Sequence, residues 1–300
     1  MSAHRQSPGP ALAETPGVTL DAPSLIALRQ VALRARAEPV LADLPGGYVT
    51  KRKGHGQEVA DVRGYVPGDD LRHLDRGTTA RTGELHVRQF MDERDRVTLL
   101  VADFRAPMLW GVSRAFRSVA AAEALCLLGW QAVEDGGRVG LLALTGQGPF
   151  GVRPRGRVRG MLDVIGGLVQ AHAAALKAPG EAPLPLDRAD RLAPRGGEIV
   201  LASGFDRAEG LGEALSALAR HRAVHLLQVT DADPAGLPKG RYPIRLPNGR
   251  RLRLTLGGQA APLPQVERIG GRAALRLDAG WPVEDMARRI AAAFPADRAP

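Results

Sequence analysis

Four strand-length runs dominated by aliphatic residues constrain this chain most: Val97–Ala102, Val139–Leu144, Ile199–Ala202 and Val224–Val229. None shows the strict alternation of a sheet with one wet face, so both faces must be covered by other elements. Stretches with helical spacing lie between them. Arg114–Val133 is apolar over more than half its circumference and is closed by Gly136-Gly137. Arg157–Ala175 is the next helix, and Leu211, Leu215, Leu218 and Arg222 mark a third. Alternating strands and helices predict an α/β fold with a doubly wound, mostly parallel sheet. A strand at Ala273–Leu277 completes it, followed by a helix opened by Pro282 with Val283, Met286, Ile290 and Ala293 on one face. Phe150–Arg153 reads as an edge strand, and the proline-rich Lys177–Arg195 as a surface crossing. Asn248-Gly249, between Ile244–Leu246 and Leu252–Leu256, predicts an inserted β-hairpin.

Composition excludes several classes. The only cysteine, Cys126, sits among Ala124, Leu125, Leu127 and Leu128, which rules out an internal disulfide and a cysteine zinc site. No run approaches the ~18–20 apolar residues of a membrane span. Residues 1–18 contain no hydrophobic signal core, so the expected location is cytoplasmic. A net charge of +9 suggests nucleic acid. The excess is nearly all arginine, however, scattered among acids, with lysine only at 51, 53, 177 and 239. Two denser groups stand out, Lys51-Arg52-Lys53 and Arg153, Arg155, Arg157 and Arg159, and neither is flanked by aromatics that stack on bases. The histidines show no HExxH spacing, and no GxSxG elbow, GxGxxG turn or Walker lysine is present. A non-enzymatic chain without a cofactor is the expectation.

The N-terminal third is organised differently. Residues 1–19 read as a disordered tail, and a helix is expected over Ser24–Ala37, stopped by Pro39. A polar segment follows. Pro67, Gly68, Asp69 and Asp70 have turn chemistry. Asp69, Asp70 and Asp75 alternate with Arg72, Arg76 and Arg81, at a spacing that does not match an EF-hand loop. Leu85, Val87 and Gln89 then alternate with charged residues as a strand does, after a Thr82-Gly83 turn.

The order of residues in this segment resembles a known family. Asp61-Val-Arg-Gly-Tyr65-Val-Pro67-Gly68-Asp69-Asp70-Leu-Arg72-His-Leu-Asp75, then Thr79-Ala80-Arg81-Thr82-Gly83-Glu84-Leu-His-Val87-Arg88, is similar to the signature of domain-of-unknown-function family fifty-eight. Arg76 stands where that family usually has Trp. The resemblance implies a von Willebrand factor A-like domain over 96–300, preceded by a helix and signature ribbon over 20–95. It also implies work beside a MoxR-type AAA+ ATPase and its client proteins, as adaptor or accessory factor.

A von Willebrand A domain holds Mg²⁺ through Asp-x-Ser-x-Ser after its first strand, since a small hard cation takes oxygen ligands. The residues here are Asp103, Arg105 and Pro107. Arginine is a permanent cation and proline has no side-chain oxygen. Where the family commonly has Asp this chain has Gly204, with Asp206 two residues on. The site therefore reads as degenerate, with Arg105 expected to pair with Asp103 in place of the metal.

The expected partner surface is the sheet edge formed by Asp103–Trp110, Gly204–Arg207 and Asp231–Asp233, where loops after parallel strands converge. Its candidate residues are Asp103, Arg105, Met108 and Trp110, joined by Pro67, Gly68, Asp69, Asp70, Arg72, Asp75 and Arg81 of the signature. Trp110 is either an exposed anchor or the buried start of a helix. The signature either shapes the edge or packs against the sheet. A metal-dependent adhesion-type binder and a basic nucleic-acid binder are the alternatives.

Overall fold

The computed structural model describes residues 15–37, 59–66, 71, 74–90, 96–180, 186–206, 211–231, 239–245, 251–256 and 266–294. The chain opens with α1 (Ala22–Ala37). The Asp21 carboxylate accepts the Ser24 N–H at 2.8 Å and supplies its N-terminal cap. A two-stranded antiparallel ribbon follows, β1 (Val59–Gly64) and β2 (His86–Phe90), with α2 (Arg76–Thr82) between them.

The remaining elements in chain order are β3 (Val97–Asp103), α3 (Arg117–Glu134), β4 (Arg138–Thr145), β5 (Gly148–Gly156) and α4 (Arg157–Lys177). Next come α5 (Ala189–Leu192), β6 (Glu198–Ser203), α6 (Leu211–Ala219) and β7 (Ala223–Thr230). A hairpin of β8 (Gly240–Arg245) and β9 (Arg251–Leu256) precedes β10 (Val266–Ile269), β11 (Arg272–Asp278) and α7 (Val283–Ala293).

Seven strands form one sheet in the order β10-β11-β7-β6-β3-β4-β5. The inner strands run parallel, while β5 and β10 are antiparallel edges. This is the expected fold class. The hairpin is present as well, with Ile244 opposite Leu252, although its Asn248-Gly249 turn lies outside the described residues. From β3 the chain winds to β4 on one side and later to β6 on the other. The direction reverses there, and such a switch point opens a crevice at the strands' C-terminal ends.

Every residue of β3 is buried, because its alternate side chains feed two cores. Leu100 and Ala102 face a cluster with α1, α3, α4 and α7, while Leu99 and Val101 face one with α5 and α6. The helix α1 lies outside the first helical layer. Its Leu25 carbonyl accepts from the Trp130 indole at 3.2 Å, and Arg29 and Arg36 pair with Glu134 and Asp135 at the end of α3. Two expectations need correction. Lys177–Arg195 is more than a surface crossing, because Leu186, Ala189 and Ala193 are buried against the sheet. Residues 15–19, read as tail, include a turn tied to α3 by the Phe116 N–H donating to the Gly17 carbonyl at 2.7 Å.

Candidate functional site

Asp103 ends β3 at the switch point and is 2% exposed. Arg105, two residues on, folds back and grips it with a forked pair of bonds, Nε to Oδ1 at 2.8 Å and Nη2 to Oδ2 at 2.7 Å. The Arg105 backbone N–H adds a third bond to Oδ1 at 3.1 Å. From the end of β6, the Ser203 hydroxyl donates to Oδ2 at 2.7 Å. The pairing expected of Arg105 is therefore present in its bidentate form, the strongest geometry available to such a pair. Both oxygens of the carboxylate are engaged.

A second arginine stands beside the first. Arg117, in the first turn of α3, is buried and donates through Nε to the Val229 carbonyl at 2.9 Å. Its Nη1 reaches Asp206 at 3.0 Å and the Pro107 carbonyl at 3.3 Å. One guanidinium thus ties the loops after β3 and β6 to the C-terminal end of β7. It also explains Gly204: a Cβ added there would lie 1.7 Å from Arg117 Nη2. The position cannot carry a carboxylate, because a guanidinium already fills the space. Phe205 follows with φ 55, a left-handed conformation that costs a bulky residue about 1–3 kcal/mol. It is held there by its buried ring and by its N–H donating to Ser203 Oγ at 3.1 Å.

These residues do not fit a divalent cation. Asp103 has no free oxygen to offer, two guanidinium charges sit within the cluster, and Gly204 contributes no ligand. Two permanent cations repel the charge that an octahedral oxygen site requires. Among the described residues no His, Cys, Asp and Glu group of metal-binding size occurs.

The loop that this cluster supports carries two exposed apolar residues. After a 3-10 turn at Ala106–Met108, Met108 is fully buried and its sulfur accepts the Gly204 N–H. Trp110 is 42% exposed, its ring lying 5.6 Å from the Arg117 guanidinium carbon, and Val112 is 57% exposed. Asp231, at the end of β7, accepts the Val112 N–H. Trp110 is thus exposed rather than buried, and it precedes α3. Met108, Asp103 and Arg105 are buried, which corrects their reading as partner contacts: they shape the edge and present no face.

The signature ribbon builds itself by local bonds. Asp75 caps α2, its carboxylate accepting the Thr78 N–H at 2.7 Å, and Gly83 closes the helix in the left-handed conformation at φ 78. Thr79 Oγ1 accepts the His86 N–H at 3.0 Å and clips α2 to β2. Asp75 is a half-buried helix cap, while Arg81 is exposed in the last turn of α2. Pro67, Gly68, Asp69, Asp70 and Arg72 lie outside the described residues, as do Arg207 and Asp233.

Sequence reasoning did not assign Arg117, Ser203 or His172 a role. Each makes a bond to a residue 54 or more positions away in the chain. His172, in α4, is buried beside Ser118 of α3, with Nε2 2.9 Å from the hydroxyl, and burial lowers its pKa from 6.5 to about 4. Burial likewise pushes the Cys126 thiol well above its usual range, so it is an inert core residue. Among the described residues no helix is long and apolar enough to cross a membrane.

The chain has relatives among known proteins. The profile of the family described as Protein of unknown function DUF58 matches residues 61–253. An uncharacterized protein of Mycobacterium bovis is 31% identical over 243 residues, covering 78% of this chain and 74% of the relative. An uncharacterized protein of Mycobacterium tuberculosis matches to the same extent. Among solved structures, the crystal structure of the SpRpn10 VWA domain aligns with a TM-score of 0.30 and 14% identity, over 46% of this chain and 76% of that one.

Proposed function

The chain belongs to the DUF58 family, and from that premise we propose that it is a non-enzymatic protein-interaction module whose binding face is the C-terminal edge of its parallel sheet. One observation carries this reading. Two buried arginines, Arg105 and Arg117, rigidify the loops at the switch point, and the large apolar side chains that the described residues there offer to solvent are Trp110 and Val112. A rigid scaffold that displays a tryptophan beside an arginine is the composition of an interface hot spot. An enzyme needs a reacting group in reach of substrate, and here the ionisable side chains of the cluster are locked to one another.

In the finer reading the partner is a MoxR-type AAA+ ATPase, and the chain serves it as adaptor toward client proteins. The resemblance of the signature supports this. The arginine-filled edge supports a mode of binding that needs no divalent cation. The test is affinity purification of the tagged full chain from its native host, with and without ATP. Stoichiometric, nucleotide-dependent recovery of such an ATPase, lost in Trp110→Ala, is the expected result. No ATPase in either condition, or a thermal midpoint that rises with millimolar Mg²⁺, overturns the reading.

A further inference from the structure

The arginine cluster noted in the sequence lies at the other end of the molecule. Register shows this directly: Gly156, at the end of β5, pairs with Arg138, and Arg138 pairs with Val97, the first residue of β3. Arg153, Arg155, Arg157 and Arg159 therefore surround the start of α4 at the N-terminal end of the parallel strands, opposite Asp103. Arg153, Arg155, Arg157 and Arg159 are all exposed. Arg155 pairs with Asp163 at 3.0 Å, whereas Arg153, Arg157 and Arg159 have no acidic partner among the described residues. On the same turns of α4 two large aliphatic side chains are left to solvent, Val158 at 41% and Leu162 at 42%. They are one helical turn apart and share a face.

We propose that this surface is a second docking site, which takes an acidic segment of a partner protein whose aliphatic side chains seat on Val158 and Leu162. Charge complementarity selects the occupant. Guanidinium groups without an acidic partner among the described residues, set around an apolar centre, match a segment with carboxylates around aliphatic anchors, and they repel basic ones. The apolar centre also favours protein over nucleic acid, because aliphatic side chains provide no stacking platform for bases. The site deepens the adaptor reading and rests on it: an adaptor holds two things at once, and these two surfaces sit at opposite strand ends, roughly 20 Å apart along β3 at about 3.3 Å per residue.

The experiment uses the full chain and two fluorescent probes, a synthetic peptide patterned with Glu and Leu at helical spacing and a 20-nucleotide single-stranded DNA, followed by anisotropy. The peptide is expected to bind. Its Kd should rise at least tenfold in Arg153→Glu/Arg157→Glu and in Leu162→Asp, while Trp110→Ala leaves it unchanged. All substituted positions are exposed, and circular dichroism confirms that each variant folds. Absence of peptide binding at 100 µM, tighter binding of the DNA, or indifference to Leu162→Asp overturns the proposal. Because Trp110→Ala is the variant that tests the other edge, failure of one surface is distinguishable from failure of the other.

Discussion

At the scale of single residues, the sheet edge is an arrangement of buried charges whose removal is costly in a predictable direction. Arg105→Ser leaves the Asp103 carboxylate buried with the Ser203 hydroxyl and a backbone N–H as its remaining partners. Breaking one side of a buried pair typically costs about 3–5 kcal/mol. Chemical denaturation should therefore show a loss of that size. The variant should also show no Mg²⁺-dependent gain in thermal midpoint, since Arg117 and Gly204 are unchanged; a gain would mean that Arg105 alone had displaced a metal. Gly204→Ala tests the second guanidinium. Its methyl group meets Arg117 Nη2, so the expected cost is about 1–3 kcal/mol, the range for overpacking. In an Arg117→Ala background that cost should fall by at least about 1 kcal/mol, because the obstacle has gone. Additive losses would place the strain elsewhere, in the backbone turn at Phe205.

At the scale of elements, what could be read in the sequence follows from what each element depends on. The strands of the main sheet were legible because burial on both faces leaves aliphatic runs, and β3, β4, β6 and β7 show them. The signature was legible as an ordered string of residues but not as a helix. α2 has the sequence RGTTART, poor in helix formers, and depends on the Asp75 cap and the Thr79 clip. The Asp103–Arg105 pair could be anticipated because the two residues are near neighbours in the chain. Arg117 could not, since its partners lie 89 and 112 residues away. The contact between α3 and α4 gives an element-level prediction of its own. His172 is neutral in the fold until pH falls to about 4, whereas the unfolded chain takes the proton near 6.5. The unfolded state thus binds more protons between those values, and stability present above pH 6.5 is lost as pH falls toward 4. Replacing His172 with Gln removes this dependence. Urea denaturation should show the advantage of the wild type over His172→Gln shrinking by about 2 kcal/mol between pH 7 and pH 5. A constant difference would mean that His172 is protonated in the folded protein.

At the scale of the whole molecule, the parallel sheet determines how the two surfaces relate. Parallel strands give the sheet two chemically distinct ends, one where chains leave strands and one where they enter. The first holds its arginines inward, locked on Asp103 and Asp206, and shows Trp110. The second holds its arginines outward around Val158 and Leu162. Among the described residues no bond joins the two sets, and the fully buried β3 between them is a rigid spacer. Energetic coupling between sites needs an element with two arrangements, and a close-packed strand flanked by β4 and β6 is a poor candidate. Independence is the expected behaviour. Trp110→Ala should weaken recovery of the proposed ATPase partner and leave the acidic peptide's Kd unchanged, Leu162→Asp should do the reverse, and the double variant should show each loss undiminished, within the about 0.5 kcal/mol expected of distant sites. A ternary complex should form at the affinities of its separate halves. Mutual exclusion in that assay would mean that one partner spans both ends, and the chain would then be a clamp around a single protein instead of a bridge between two.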